Sequence, residues 1–189
     1  VVSNAPMKGW KPFIEGRDIS RYYVKPIYQY LNYQPELLHR ARTKEVFESK
    51  EKLLIQRITG GSQPLKVAYD NKQLYNKESI NNLILNDEAL FNIKFILSLL
   101  NSKLINWFYN SQFTNESTLT VNISKEYLSQ IPIKNIALKE QKPFIDLVDK
   151  ILAAKENGKD SSDYEKKIDE LVYKLYEITT DEQKIIEGK

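Results

Sequence analysis

Apolar residues along this chain keep a two-residue period in the first part and a helical period in the rest, so sheet must come first and helix after. Ile27 and Leu31 alternate with Tyr28 and Tyr30 across 27–31, and runs of strand formers follow at 53–58, 65–69 and 83–85. Gly9, Gly16, Gly60, Gly61 and Pro64 punctuate these runs as turns. Val46 and Phe47 stand among charges between residues 40 and 52, where a short helix is expected. From Asn92 to Phe113, the residues Phe95, Ile96, Leu99, Leu100, Leu104, Trp107 and Phe108 recur at the helical period. That spacing predicts one long helix with one buried face, capped by Asn92. Short strands are expected at 119–123 and 131–133. Beyond them Phe144, Leu147 and Ile151 mark one helix. Tyr164, Ile168, Leu171, Leu175 and Ile178 step four, three, four, three on the next, which is a heptad seam. Gly158 is the turn between the two, and a short helix around 182–187 closes the chain. The expected fold is α+β: a partly β body with a central buried helix at 1–135, then a C-terminal antiparallel helical hairpin and tail at 136–189.

Hydrophobic residues at 41% and charged residues at 28% are ordinary values for a folded globular chain and exclude wholesale disorder. With no cysteine there is no disulfide framework or thiolate metal site, and the single His39 cannot build an imidazole cluster. A reducing, cytoplasmic setting is the natural expectation. The longest apolar stretch, at 95–100, is far too short to span a bilayer, nothing at the N-terminus has the form of a signal peptide, and no membrane partner is expected. The chain opens at Val1 without an initiator methionine, as an excised fragment would.

The net charge of +3 is unevenly spread. Up to Tyr75, thirteen Lys and Arg face seven Asp and Glu; from Asn76 to Asn135 the counts are five and five; from Ile136 onward they are ten and thirteen. All five arginines, Arg17, Arg21, Arg40, Arg42 and Arg57, lie in the first 57 residues. The planar guanidinium fork pairs two-pronged with phosphate and with the guanine edge in the major groove, so the partner-facing end is the N-terminal one.

Catalytic chemistry is thinly represented. Transfer of a methyl group to an exocyclic amine needs an Asn or Asp, two prolines and an aromatic residue in a row, and no Pro-Pro pair occurs. Gly60 and Gly61 form neither a methyl-donor turn nor a phosphate-binding loop. Glu-x-Lys occurs at Glu48, Glu140, Glu165 and Glu182, none preceded by a convincing partner carboxylate, and His39 is the sole imidazole. The chain is expected to carry no catalytic residue, no metal and no cofactor of its own.

The run KPFIEGRDI at 11–19 followed by Arg21 and Tyr22, then LIQRITG at 54–60 and FILSLLNSKLI at 95–105, resembles the TaqI-like C-terminal specificity domain. IDELVYKLYEI at 168–178, with Asp181, Glu182 and Ile185 to Glu187 behind it, is similar to the closing helices of the same proteins. The resemblance implies a single-chain restriction-modification enzyme whose upstream part is a DNA adenine methyltransferase, often with a nuclease domain. Residues 1–135 would then be the DNA target-recognition domain, and the partners would be double-stranded DNA and the methyltransferase domain of the same parent chain. S-adenosylmethionine, and Mg where a nuclease is present, would belong to that parent.

On this reading Lys25, Lys44, Lys50, Lys52 and Lys66 are candidates for phosphate contact. Arg17, Arg21, Arg40, Arg42 and Arg57 are candidates for guanine, and Gln56, Gln63 and Asn71 for adenine. Two of the arginines have plain structural alternatives: Arg17 pairing with Asp18, and Arg57 bridging to Glu51. Alternation puts Leu54, Gln56 and Ile58 on one strand face with Ile55, Arg57 and Thr59 on the other, and the glycine pair forms the exit. About half of Tyr22, Tyr23, Tyr28, Tyr30 and Tyr33 are expected in the core, as is the helix around Trp107. The competing function is a protein docking module that uses the hairpin's apolar seam.

Overall fold

The computed structural model describes residues 2–37, 42–86, 88–114 and 119–188. Through its first part run β1 (Val2–Ser3), β2 (Lys11–Ile14), a 3-10 turn (Gly16–Asp18), β3 (Gln29–Leu31), a second 3-10 turn (Pro35–Leu37) and α1 (Lys44–Phe47). Next come β4 (Lys52–Gln56), β5 (Ile58–Thr59), β6 (Val67–Asp70), β7 (Tyr75–Asn76) and β8 (Ile80–Leu83). The remainder holds α2 (Ile93–Leu100), α3 (Lys103–Phe113), β9 (Val121–Asn122), α4 (Lys125–Leu128), α5 (Leu138–Glu156), α6 (Ser162–Leu175) and α7 (Thr180–Ile186). The α+β expectation holds, with strands in the first half and the long helices in the second.

β4 is the centre of the molecule. It lies between β6 and β8 in an antiparallel sheet, with Leu54 opposite Ala68 on one side and Asn82 on the other. Its side chains alternate between two apolar environments. Leu53 and Ile55 enter the main core with Phe95, Leu97, Val148 and Ile168, whereas Leu54 joins Ile14, Ile19, Ala68 and Ile80 behind the sheet. A strand covered on both faces reads as a continuous apolar run. The second sheet, in the order β1-β3-β2-β7, is antiparallel except for the parallel β2–β7 pair, and a third cluster of Phe13, Leu31, Phe47 and Tyr75 packs with it. Phe47 stacks on Tyr75 at 4.5 Å between ring centroids. Tyr22 is wholly buried at φ +72, held there by its N–H donating to Val67 O at 2.7 Å and its carbonyl accepting from Tyr69 N–H at 3.1 Å. Tyr28, by contrast, is 71% exposed.

The single helix expected from 92 to 113 is two. Asn92 does cap α2, its side chain accepting from Lys94 N–H, but the helix ends at Leu100 and Ser102 caps α3. The buried Asn101 amide accepts from Val67 N–H at 3.3 Å and donates to Val67 O at 2.9 Å, so it works beside Tyr22 as an extra strand residue along the outer edge of β6. Asn106 continues the edge, accepting from Leu65 N–H at 2.8 Å and donating to Leu100 O and Ser102 O. The break rotates α3, which buries Leu104, Ile105 and Tyr109 and leaves Trp107 38% exposed, correcting the expectation that Trp107 is core.

The C-terminal hairpin forms as expected, with Gly158 at φ +64 in the turn and α7 closing the chain. The seam is placed differently. Of the heptad set only Ile168 is fully buried; Ile168, Asp169, Val172 and Tyr173 face inward, and Ile178 lies beyond the helix. The cause is that α6 packs against both α5 and α3, which demands a broader face than a two-helix seam. Residues on both sides of position 135 share the main core: Phe95 meets Phe144 edge-on at 5.1 Å. Smaller differences are that 131–133 forms no strand and that 119–123 contributes only β9.

Candidate nucleic-acid interface

At Arg57 the chain leaves the central sheet. Its N–H donates to Ser79 O at 2.9 Å and its carbonyl accepts from Ile123 N–H at 2.7 Å, so the bend is anchored on both sides. Beyond it β5 pairs, among the described residues, with β9 alone, Ile58 opposite Asn122 and Thr59 opposite Val121. Thr59 and Val121 are buried, whereas Ile58 is 51% exposed and Asn122 is exposed. The alternation expected across 54–59 is interrupted at Arg57, because the next residue, Ile58, already pairs with a different strand and Thr59 faces inward. The Gln56 amide donates to Ile58 O at 2.7 Å and ties the bend from its outer side. Gly61 takes φ +85 in the loop that follows, a conformation glycine adopts freely, and Asn110 fixes the loop to α3 by donating to Ser62 O at 2.9 Å.

The basic residues divide by what they already hold. Lys52 is completely buried, its ammonium 2.5 Å from the Asp70 carboxylate and 2.6 Å from Phe47 O. It cannot reach a phosphate without unfolding β4, which corrects its assignment as a phosphate contact. Arg21 donates to Gln63 Oε1 at 2.5 Å and pairs with Glu165 on α6 at 3.3 Å, so these two candidates bind each other and the hairpin. Arg17 is 72% exposed and pairs with Glu15 rather than Asp18, whose carboxylate instead accepts Glu15 N–H. Lys25 donates to Arg17 O, and Lys44 lies 3.8 Å from Glu48. Lys50 and Asn71 are exposed and Lys66 is half-buried. Arg40 and His39 lie outside the described residues.

Arg42 donates through Nη1 to Asn76 Oδ1 at 2.7 Å and through Nη2 to Ile80 O at 2.5 Å. Burial, and then the positive charge of Arg57, lower its pKa from the usual value, and Glu78 offsets part of this. Arg57 donates through Nη1 to Glu78 O at 3.1 Å; no bridge to Glu51 forms. Asn122 was missed by the sequence reading. Its signal is the alternation of 121–123, where Val121 and Ile123 are buried and Asn122 is not.

A second polar feature is a cleft of about 530 Å³ where the hairpin meets the body, lined by Arg21, Gln63, Lys103, Lys155, Glu165 and Asp169 among others. Burial alone would raise the Glu165 carboxyl, but hydrogen bonds from Ser161 and Lys155 and the charge of Arg21 together hold it below the usual range. Burial raises Asp169, against the opposing effect of the Lys103 N–H, which donates to it at 2.8 Å. Within this cleft Glu165 pairs with both Arg21 and Lys155, whereas Lys103 pairs with Glu187. Among the described residues no group of three or more His, Asp and Glu side chains is arranged to hold a metal ion.

The profile of the TaqI-like C-terminal specificity domain matches residues 11–133, from β2 through the ribbon to the end of the body. Among solved structures, that of the type IIL restriction-modification enzyme MmeI in complex with DNA shares the fold over 91% of this chain, with a TM-score of 0.65 and 14% sequence identity. That overlap reaches past the profile match into the C-terminal helices. The chain spans 28% of the MmeI chain. No curated protein matches. With a profile match covering more than half its length, the chain belongs to the TaqI-like C-terminal specificity domain family.

Proposed function

We propose that this chain is the sequence-reading module of a restriction-modification enzyme, engaging double-stranded DNA through the β5–β9 ribbon and presenting the target to a methyltransferase elsewhere in the parent. The observation that carries the reading is the ribbon itself. It leaves the central sheet at an arginine and pairs with no third strand among the described residues. Its outer surface presents an apolar side chain, Ile58, directly across from an amide, Asn122. A two-stranded ribbon fits the major groove of B-DNA, where an amide pairs with the adenine edge and an apolar group packs on the thymine methyl. The family relationship supports the reading, as does the bound DNA in the complex of the structurally similar MmeI. The methyl donor S-adenosylmethionine, and Mg if the parent also cleaves, would be held outside this chain, whose own part is recognition without catalysis. A cytoplasmic setting fits that role, and no described helix is long and apolar enough to cross a membrane.

The docking alternative required a free apolar seam on the hairpin. Phe144, Val148, Ile151, Ile168 and Val172 are instead buried in the chain's own core.

Selection of duplexes from a randomised library by the purified protein at low salt tests the proposal. Enrichment of a short common sequence, with affinity falling steeply as salt rises, is the expected result. Uniform retention of all sequences, or no retention of any, would overturn it.

A further inference from the structure

Two guanidiniums share one turn. Residues 77–79 join β7 to β8, and arginines from two other parts of the chain take up the acceptors of this turn. Arg42 reaches Asn76 Oδ1 and Ile80 O, with Lys77 O at 3.5 Å, and Arg57 reaches Glu78 O. The other two described arginines each have a carboxylate: Arg17 pairs with Glu15 and Arg21 with Glu165. Arg42 and Arg57 have none among the described residues, although they lie close enough for the charge of one to disfavour the charge of the other. Lys77 in the same turn shares the Glu15 carboxylate with Arg17, which lies 3.3 Å from each. Two like charges therefore stand together at the base of the ribbon, offset only in part by the charge of Glu78, and Arg57 there is half-buried and donates a single N–H of its five to a partner among the described residues.

We infer that Arg42 and Arg57 form one anion site, and that its ligand is a phosphodiester of the DNA backbone beside the ribbon. The inference rests on the proposed DNA reading and narrows it. Arg42 is fixed by three acceptors, so it supplies charge and cannot extend to a base edge. Arg57 keeps the outer side of its fork for a phosphate oxygen. A guanine edge is neutral and leaves the repulsion between the two arginines in place, whereas a phosphate relieves it. Arg57 is thus a positioning residue for the ribbon, and discrimination between bases falls to ribbon residues such as Asn122.

Methylphosphonate substitution, one backbone position at a time across the selected duplex, is combined with Arg57→Gln and Arg57→Lys. At one position, removing the phosphate charge should weaken wild-type binding about tenfold. The same substitution should cost Arg57→Gln nothing further, and Arg57→Lys should stay sensitive to it. Arg57→Gln should lose affinity evenly across single-base variants of the site, with the salt slope smaller by roughly 0.9. Loss confined to one base pair would overturn the inference in favour of base reading. Unchanged affinity with a lower melting temperature would overturn it in favour of a structural prop. In both of those cases wild-type protein still binds DNA, whereas failure of wild-type protein to bind any duplex would overturn the DNA reading itself.

Discussion

Lys52 and Asp70 show how a charge that looks free in sequence is consumed by the fold. Both side chains are wholly inaccessible. Both partners are held by further hydrogen bonds: Lys52 also donates to Phe47 O, and Asp70 accepts from Lys72 N–H at 2.8 Å and Leu74 N–H at 3.0 Å. A buried pair is a weak source of net stability, but breaking one is costly because the survivor is left charged in an apolar setting. Lys52→Met should therefore destabilise the protein by about 3–5 kcal/mol. Asp70 keeps its two backbone donors, which favours the lower end. Urea denaturation measures the loss, and DNA affinity of the folded fraction should be unchanged. Weaker DNA binding at undiminished stability would mean that Lys52 reaches the DNA after all. Asp70 is eighteen residues away in sequence, and Glu165, the partner of Arg21, is on α6, so no local pattern announces either pair. The strand that leads into Arg57 was legible for the opposite reason: its apolar run and the glycines that follow it are all local.

Local signals also recovered the elements that depend on local chemistry. The apolar run of β4, the Asn92 cap, the glycine turn at 158 and the closing helix were all readable because each is set by adjacent residues. The break between α2 and α3 was not. The apolar spacing continues through Asn101 and Ser102 with little disturbance, and what ends the helix is the outer edge of β6, where Asn101 accepts the Val67 N–H, more than thirty residues earlier. Asn101 substitutes for a neighbouring strand there, and Ser102 restarts the helix by accepting Ile105 N–H at 3.3 Å. Replacing Asn101 by Ala leaves the buried Val67 N–H without its acceptor, although Val67 O retains the N–H of Tyr22. One unsatisfied buried donor costs about 1–3 kcal/mol, which is the expected destabilisation. Hydrogen exchange should locate the change, with the Val67 amide losing far more protection than the amides of β8 on the opposite side of the sheet. Equal loss at both edges would mean that Asn101 acts through general packing rather than through this bond.

The whole molecule is joined by a core that crosses from body to hairpin. Leu53, Ile55 and Val67 from the sheet, Phe95 and Leu99 from α2, and Val148, Ile168 and Val172 from the hairpin belong to one buried cluster. Polar links reinforce it at the surface, from Lys94 to Asp149 at 2.6 Å and from Arg21 to Glu165. The ribbon springs from β4, and β4 is covered on one face by helices that the hairpin in turn covers. Loss of the hairpin contacts should therefore be felt at the base of the ribbon, even though no hairpin residue is proposed to touch DNA. Ile168→Ala removes a fully buried side chain where α6 enters this core and should cost about 2–5 kcal/mol. Sheet and hairpin should then lose structure in a single transition, since neither retains a core without the other. The chain's two tryptophans provide the test. Trp10 stands beside β2 in the body, so a Trp107→Phe background leaves fluorescence to report the sheet region, while far-UV circular dichroism is dominated by the helices. Coincident melting curves, both shifted downward by Ile168→Ala, are the expected outcome. If the dichroism fell first and Trp10 kept its native emission, the body would be stable without the hairpin, and the hairpin's contribution to DNA recognition would have to be one of placement alone.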